Sequence, residues 1–546
     1  MRKIKKIILY IAVLVPAAIL AQPGKDVPSQ SQDVIKNFDA KLLETERINV
    51  NPVLPPVDTS TKAQAYSVPN KVLGIDYSAP TMRPIAIKTE KLPPQYKGYA
   101  KVGYGFPNSP YVEGAYRFGD PRKYLIGLKL KHHSADNNKA YENQSFSMTN
   151  AEVNGTFYAQ AGIAVDAKLG FDNNTRQYYG YNHEKFSYPK VDTKQLFNVL
   201  SAGAKVYNSA RTVADFDYNL GLNFSNMNDN FGNRETDFNL KAQATKWFNE
   251  KHPLSIVVRT EFTSLAPKSD KTQSLNNIHL IPSFTFKGDG FSVRAGANLV
   301  SSKDIFTPLP DIEGSFNVAG NQLQAFVGWK GDFTKNSYKN LTTYNPFIKP
   351  DSFKIQNTIK TEYYGGIKGS IALFDYSAQV GWSDNKNLAL FLADTTDKYR
   401  RFNVLYDTVK IFNIRGAVTM HPIKDLELIA TVSQNIYTAN KQKAAWGLPS
   451  TDVNITAKYN VMSKGNQTAV VKSSLFVQNG VPFKNSAGNI ERLSSLIDLN
   501  IGGEVWFSKN IGAFLDINNL LNLKRQRWQN YPNFGLNVLA GFTARF

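Results

Sequence analysis

The sequence predicts an all-β protein, a transmembrane antiparallel β-barrel of about 22 strands preceded by a short N-terminal arm. Three observations carry this. From Lys97 onward, segments with alternating apolar and polar residues follow one another without a competing helical period. The connections between them are of two kinds, short turns and long polar loops, which alternate through most of the chain. The last ten residues, NVLAGFTARF, keep the alternation to the final residue, with Val538, Ala540, Phe542, Ala544 and Phe546 on one side. Chain ends usually fray, so a patterned terminal strand is expected to be held in a sheet.

The elements follow in order. Residues 1–21, MRKIKKIILYIAVLVPAAILA, combine Arg2, Lys3, Lys5 and Lys6 with an apolar run from Ile7 to Leu20, the pattern of a secretory signal peptide cleaved after Ala21. Residues 22–96 are rich in proline (PVLPPVD, SAPTMRP, KLPPQ) and read as an extended periplasmic arm. Within it, SQDVIKNFDAKLLETERI is expected to form a short amphipathic helix. Val34, Ile35, Phe38, Leu42 and Leu43 share one side and form a candidate partner-docking surface. A helix this short needs something to bury that face against.

Residues 97–546 are the expected barrel. Turn chemistry is concentrated at GDPR near Asp120, KGDG near Asp289, PIKD near Lys424 and SKN near Lys509. Long connections fall at 134–148, 173–195, 265–274, 332–358, 438–450, 479–493 and 522–535. Alternate connections in a meander lie at the same end, so tight turns are expected at one end and tall loops at the other. The count is least firm between Asn385 and Thr408. Faces separate cleanly: Ile511, Ala513, Leu515 and Ile517 oppose Gly512, Phe514 and Asp516. Charges such as Lys101, Glu113, Arg117 and Lys129 fall on the polar side, as a wet lumen requires. Tyr104, Phe106, Tyr116, Phe118, Trp247, Phe248, Phe286, Trp329, Trp506 and Phe507 gather at strand ends and are expected in interfacial girdles. An even strand number brings the last strand back beside the first, so no edge is left unpaired in lipid. The expected location is the outer membrane, with the arm in the periplasm.

Other classes are disfavoured. The chain has 546 residues and no cysteine, which removes disulfides, lipoprotein anchors and thiolate metal sites. A mean hydropathy of -0.34 argues against a helical membrane protein. Net charge is +20, but an exported chain without long Lys/Arg runs points to anionic lipid or lipopolysaccharide rather than nucleic acid. No HExxH, GxSxG or P-loop occurs, so no enzyme, cofactor or metal site is expected. His132 and His133 are adjacent on a strand and point to opposite faces, poor geometry for one metal. The loop RQYYGYNHEKFSY contributes Tyr178, Tyr179, Tyr181 and Tyr188 as candidate ligand contacts, against a plainer role in packing at the rim.

The segment FLDINNLLNLKRQRWQNYPNFGLNVLAGFTARF, Phe514 to Phe546, resembles the end of the TonB-dependent receptor barrels. The matching features are Asn519-Leu520-Leu521-Asn522, Tyr531-Pro532, Gly535 and the terminal Phe. The resemblance implies a 22-strand barrel and a terminal aromatic read by the barrel-assembly machinery, a role that falls on Phe546, with Phe542 on the same face. The chain departs from that family at its N-terminus. The 75 residues from Gln22 to Tyr96 are too few for the family's plug domain and lack its glycine-rich β-pattern. Two functions are therefore expected to compete: a transport conduit or receptor for an unidentified solute, or a structural barrel whose arm docks a periplasmic or outer-membrane partner.

Overall fold

Alternation along each strand puts one row of side chains on each face of a sheet, and here the sheet closes on itself. A computed structural model describes residues 96–546, apart from 160–161, 211, 352 and 464–465. The expected signal peptide, arm and docking helix, with Val34, Ile35, Phe38, Leu42 and Leu43, lie outside the described residues. Twenty-two antiparallel strands form one sheet in which each pairs with its neighbours in sequence. Closure joins the first strand, Gly98–Phe106, to the last, Asn537–Arg545, with Lys101 opposite Thr543 and Val102 opposite Phe542. Phe546 completes the seal: its N–H donates to Gly98 O at 3.0 Å, and Gly98 N–H donates to Phe546 O at 2.9 Å.

The two ends differ as the connections predict. Turns at Asp120, Asp289 and Lys509 lie at one end, and the long loops lie at the other. Two loop-end connections are nonetheless tight, at Pro107-Asn108 and Lys303-Asp304. The uncertain stretch from Asn385 to Thr408 is resolved by the longest hairpin, Phe374–Ala393 paired with Phe402–Met420. A 20-residue strand is about twice the 9–11 residues that a tilted strand needs to cross a bilayer. Its upper half therefore stands clear of the membrane band. The register shifts between Asn385 and Leu388, and Asn387 takes a positive φ of 56°.

Outward rows are apolar and exposed: Val102, Leu128, Leu169, Leu515 and Phe542 face away from the lumen. Leaving such residues uncovered in water would be costly, so the surface is matched to hydrocarbon. Tyr104, Phe106, Phe248, Phe286 and Phe507 are exposed near strand ends, whereas Trp329, also exposed, sits midway along Leu323–Asn336 and not at its end. Trp247 and Trp506 correct the expected girdle, because both point inward. Trp247 Nε1 donates to Asp217 Oδ2 at 2.7 Å. The Trp506 ring lies 4.0 Å from the Arg545 guanidinium. Strand ends carry inward as well as outward aromatics, and parity rather than end position decides which is which.

The inner wall interleaves both charges. Arg294 bonds Asp311 at 2.5 Å, Lys330 bonds Glu313 at 2.8 Å, Lys360 bonds Glu362 at 2.7 Å, and Lys101 and Lys472 share Glu504. Basic residues thus do not dominate the wall. No helix among the described residues is long and apolar enough to cross a membrane; the strands do that.

Candidate functional site

At the loop end, connections that are far apart in sequence converge over the mouth and share one buried aromatic layer. The loop 178–193 leaves the strand Ile163–Gln177, and its base is tied by Tyr178 N–H to Thr193 O at 2.7 Å and Thr193 Oγ1 to Gln177 Oε1 at 2.8 Å. That tie turns two tyrosines inward. Tyr178 is fully buried, donates to Gln195 Oε1 and stacks on Tyr399 with centroids 5.9 Å apart. Tyr179 donates to Pro532 O at 3.0 Å and meets Tyr531 edge-on at 5.1 Å.

Three further segments supply the other side. The loop after the strand Leu323–Asn336 carries a short helix, Tyr338–Tyr344, capped by Ser337. Its first N–H groups donate to Glu235 on the wall, from Tyr338 at 2.5 Å, and a carboxylate at a helix N-terminus is a favourable partner. Beyond the helix, Phe347 stacks on Tyr531 at 3.9 Å. The hairpin tip 394–401 contributes Tyr399, whose carbonyl accepts the Tyr531 hydroxyl at 2.9 Å. The loop 519–536 folds a small hairpin of Gln526–Trp528 and Tyr531–Pro532, and Trp528 packs edge-on against Phe391 and Phe402. Arg527 lies 4.1 Å over the Trp528 ring and donates to Tyr344 Oη at 2.8 Å and Gly447 O at 3.0 Å. Edge-on and stacked rings, with the hydroxyls of Tyr178, Tyr179 and Tyr531 hydrogen-bonded, form a buried layer whose parts support one another.

Charge is arranged around this layer. Burial pushes the Asp397 carboxyl upward, but hydrogen bonds and charge from Arg401, at 2.7 Å, outweigh it and hold Asp397 below the usual carboxylate range. The Arg401 guanidinium lies 5.4 Å over the Tyr178 ring and 5.5 Å over Tyr399. Burial, followed by the bond to Glu142, raises the Tyr181 hydroxyl above its ordinary value. Tyr181 donates to Glu142 Oε1 at 2.7 Å and accepts Asn143 Nδ2 at 2.8 Å.

The structure thus brings Tyr178, Tyr179, Tyr181 and Tyr188 into one cluster, but turns the first three toward neighbouring loops rather than solvent. Tyr188 is partly buried and meets Tyr181 at 4.9 Å and Tyr399 at 5.2 Å. Phe347, Tyr399, Trp528 and Tyr531 were not legible as their partners. A Tyr-Pro pair and a Trp in long loops were the only local signals. Phe542 and Phe546 lie on the outer wall, 70% and 53% exposed, and Phe546 packs on Tyr116 at 5.8 Å. His132 bonds Thr149 at 2.8 Å while His133 meets Tyr111 edge-on, so the pair does not converge. Among the described residues no cluster of three metal-ligating side chains occurs. A cavity of about 540 Å³ lies on the inner wall near the turn end, lined by Asn317, Gln324, Lys368, Ser370, Asp375 and others.

No protein-family model matches the chain, and no curated protein is similar to it in sequence. Solved structures share its fold. The FrpB iron transporter from Neisseria meningitidis, F3-3 variant, superposes with a TM-score of 0.64 at 9% identity, covering 83% of this chain and 82% of that one. The siderophore receptor PirA from Acinetobacter baumannii gives a TM-score of 0.62 at 11% identity, over 84% and 81%. The closed form of the ferric-catecholate import receptor Fiu from E. coli K12 gives 0.61 at 8% identity, over 83% and 82%. The barrel therefore has the 22-strand fold of TonB-dependent siderophore receptors, and at these identities the likeness is one of fold.

Proposed function

We propose that the chain is an outer-membrane receptor or conduit whose loop end binds an unidentified solute and whose aromatic layer closes the lumen until that solute arrives. The observation that carries this reading is the convergence of four loops on one buried layer across the mouth of a receptor-type barrel. Loops that served only to bound a structural barrel would have no need to interlock over its axis. Fold likeness to iron and siderophore receptors supports the class, and the solute stays unassigned. The interleaved wall gives no reason to favour anions over cations. In this reading the loops lie outside the cell, the turns face the periplasm, and Phe546 with Phe542 serves as the assembly signal.

The test is planar-bilayer conductance of the refolded mature protein, with and without residues 22–95. Stepwise channels that grow on removing those residues support a conduit with a partial plug. Silence from both, and from the arm-deleted protein carrying Tyr531→Ala to loosen the aromatic layer, with insertion verified, overturns the conduit. The second reading, a barrel that docks a periplasmic or outer-membrane partner through its arm, follows from the proline-rich sequence of residues 22–96, which is too short for the family's plug. Loss of a co-purifying protein on deletion, with no change in conductance, selects it.

A further inference from the structure

The interleaving of opposite charges on the inner wall fails at the turn end of the first three strands. Here the first strand, Gly98–Phe106, lies between the last, Asn537–Arg545, and the second, Ser109–Asp120, which turns into the third, Tyr124–Asp136. Alternation fixes which residues face inward. Lys101 bonds Glu504 across the inner wall, so Tyr99 and Lys97 share its side, and the register sets Arg545 opposite Tyr99. Lys129 bonds Glu152 at 3.2 Å; its row continues to Ala115, and the next row toward the turn pairs Arg117 with Gly127. Arg117 N–H donates to Lys97 O at 2.7 Å, which extends the ladder by one pair and makes these two cations cross-strand neighbours.

These residues surround a cavity of about 270 Å³. Lys97, Arg117, Lys129 and Arg545 line it, and among the described residues no carboxylate does. Asn154, opposite Gly127 on the fourth strand, and Arg545 on the last both belong to inward rows, so the cavity opens on the lumen. Small residues make the hollow: Ala115, and Gly127, where a Cβ would lie 2.5 Å from Asn154 Oδ1. Glu152 answers Lys129 and also accepts Asn154 Nδ2 at 2.7 Å. Lys97, Arg117 and Arg545 form no ion pair among the described residues, and the terminal carboxyl of Phe546 is engaged by Gly98 N–H at 2.9 Å. The Arg545 guanidinium is held between the rings of Tyr96, at 4.5 Å, and Trp506, at 4.0 Å, and Nε donates to Lys509 O at 2.8 Å. Its charge is therefore fixed in position without being neutralised. Like charges on facing positions weaken a sheet. Elsewhere on the wall Lys330 bonds Glu313 and Lys360 bonds Glu362, so three uncompensated cations around one hollow are not what a purely structural wall requires.

We propose that this hollow is a binding site for a phosphate monoester, at the opposite end of the lumen from the aromatic layer. Such a group carries about −1.5 to −2 charges at neutral pH and three acceptor oxygens, which suits three unneutralised cations. A single carboxylate would leave most of their charge unanswered. Arg117 presents a planar fork to two phosphoryl oxygens, while Lys97 and Arg545 supply charge from the adjoining positions. The cavity has room for the phosphoryl group and a small polar body. The site is separate from the mouth; only its placement on the periplasmic side rests on the conduit reading. A soluble phosphate ester and a phosphatidic acid head at the rim present the same chemistry, and the test separates them.

The test is isothermal titration of the folded, full-length mature protein in dodecyl maltoside with glycerol 3-phosphate at neutral pH, with glycerol as the uncharged control. The expected result is saturable binding of glycerol 3-phosphate alone, weakened about tenfold by Arg117→Gln. Lys330→Gln, which removes a lysine already paired with Glu313 on the same wall, should leave the affinity within about twofold. Arg117 is exposed, and an unchanged urea midpoint verifies that its variant is folded. Absence of binding, or equal weakening by the two variants, overturns the site; the second result reduces it to diffuse attraction by the wall. Binding of hexaglutamate but not of glycerol 3-phosphate also overturns it and marks the patch as a contact for an acidic protein segment. In nanodiscs, phosphatidic acid that competes with glycerol 3-phosphate assigns the site to a lipid head, whereas unchanged binding assigns it to a soluble ester. Stepwise conductance without phosphate binding leaves the conduit standing and removes only this site; phosphate binding by a silent barrel does the reverse.

Discussion

Leu515→Arg tests the assignment of faces most directly. Leu515 is 47% exposed on the outer wall, and Gly503 and Ala540 lie beside it on the adjacent strands. Its strand, Ile511–Asn518, starts at the turn end. Four residues at about 3.3 Å each, tilted by about 45°, raise Leu515 about 9 Å above that end. In an apolar band about 25 Å tall this lies within a few ångströms of the midplane, where arginine costs roughly 2–4 kcal/mol. We therefore expect a loss of about 2–3 kcal/mol, read as a lower urea midpoint for unfolding from vesicles with an unchanged slope. Ser474→Arg is the matched control. It faces the lumen, opposite Asn500 and one inward position from Asp498's partner Phe476, and should stay within about 0.5 kcal/mol of the parent. Equal stability for Leu515→Arg and the parent, or an equal loss for Ser474→Arg, would refute the inside-outside assignment.

Tyr531→Ala removes a ring that stacks on Phe347 and a hydroxyl that Tyr399 O accepts. It should loosen the mouth by about 3–5 kcal/mol locally, seen as faster tryptic cleavage of the loop after Lys185 or Lys190 with the barrel intact. The Asp397–Arg401 pair should make the hairpin tip acid-sensitive. Its folded carboxyl is depressed, so its contribution is present above the unfolded value of about 3.9 and is lost as pH falls through the lower folded value. Amide protection at 394–401 should drop on acidification, and Asp397→Asn should weaken that dependence to the part carried by Asp394, whose carboxyl, despite the upward push of burial, is also held low by Thr396 and Lys349; protection independent of pH in the parent would contradict it. Phe546→Ala removes the ring packed on Tyr116 but keeps the two backbone bonds to Gly98. It should slow insertion by the assembly machinery while leaving the urea midpoint of folded protein within about 1 kcal/mol; an unchanged insertion rate would remove the signal role.

The barrel was readable from the sequence because its causes are local. Alternation follows from strand geometry within a few residues, so the inward row of Lys101 and the outward row of Leu515 could be assigned from parity alone. Turn residues near Asp120, Asp289 and Lys509 set the strand count, and a terminal strand ending at Phe546 required a partner, which the first strand supplies. Trp247 and Trp506 were misplaced where position near a strand end was allowed to override parity. The closed mouth was not readable. Tyr179 meets Pro532, 353 residues away, and Tyr178 meets Tyr399. Nothing in the local pattern of any one loop selects the others, because each becomes a neighbour only when the wall has brought their ends around the same rim. Sequence fixes what each strand can offer its neighbours; the tertiary structure decides which offers are taken up, because pairing across the barrel depends on register summed over every strand between.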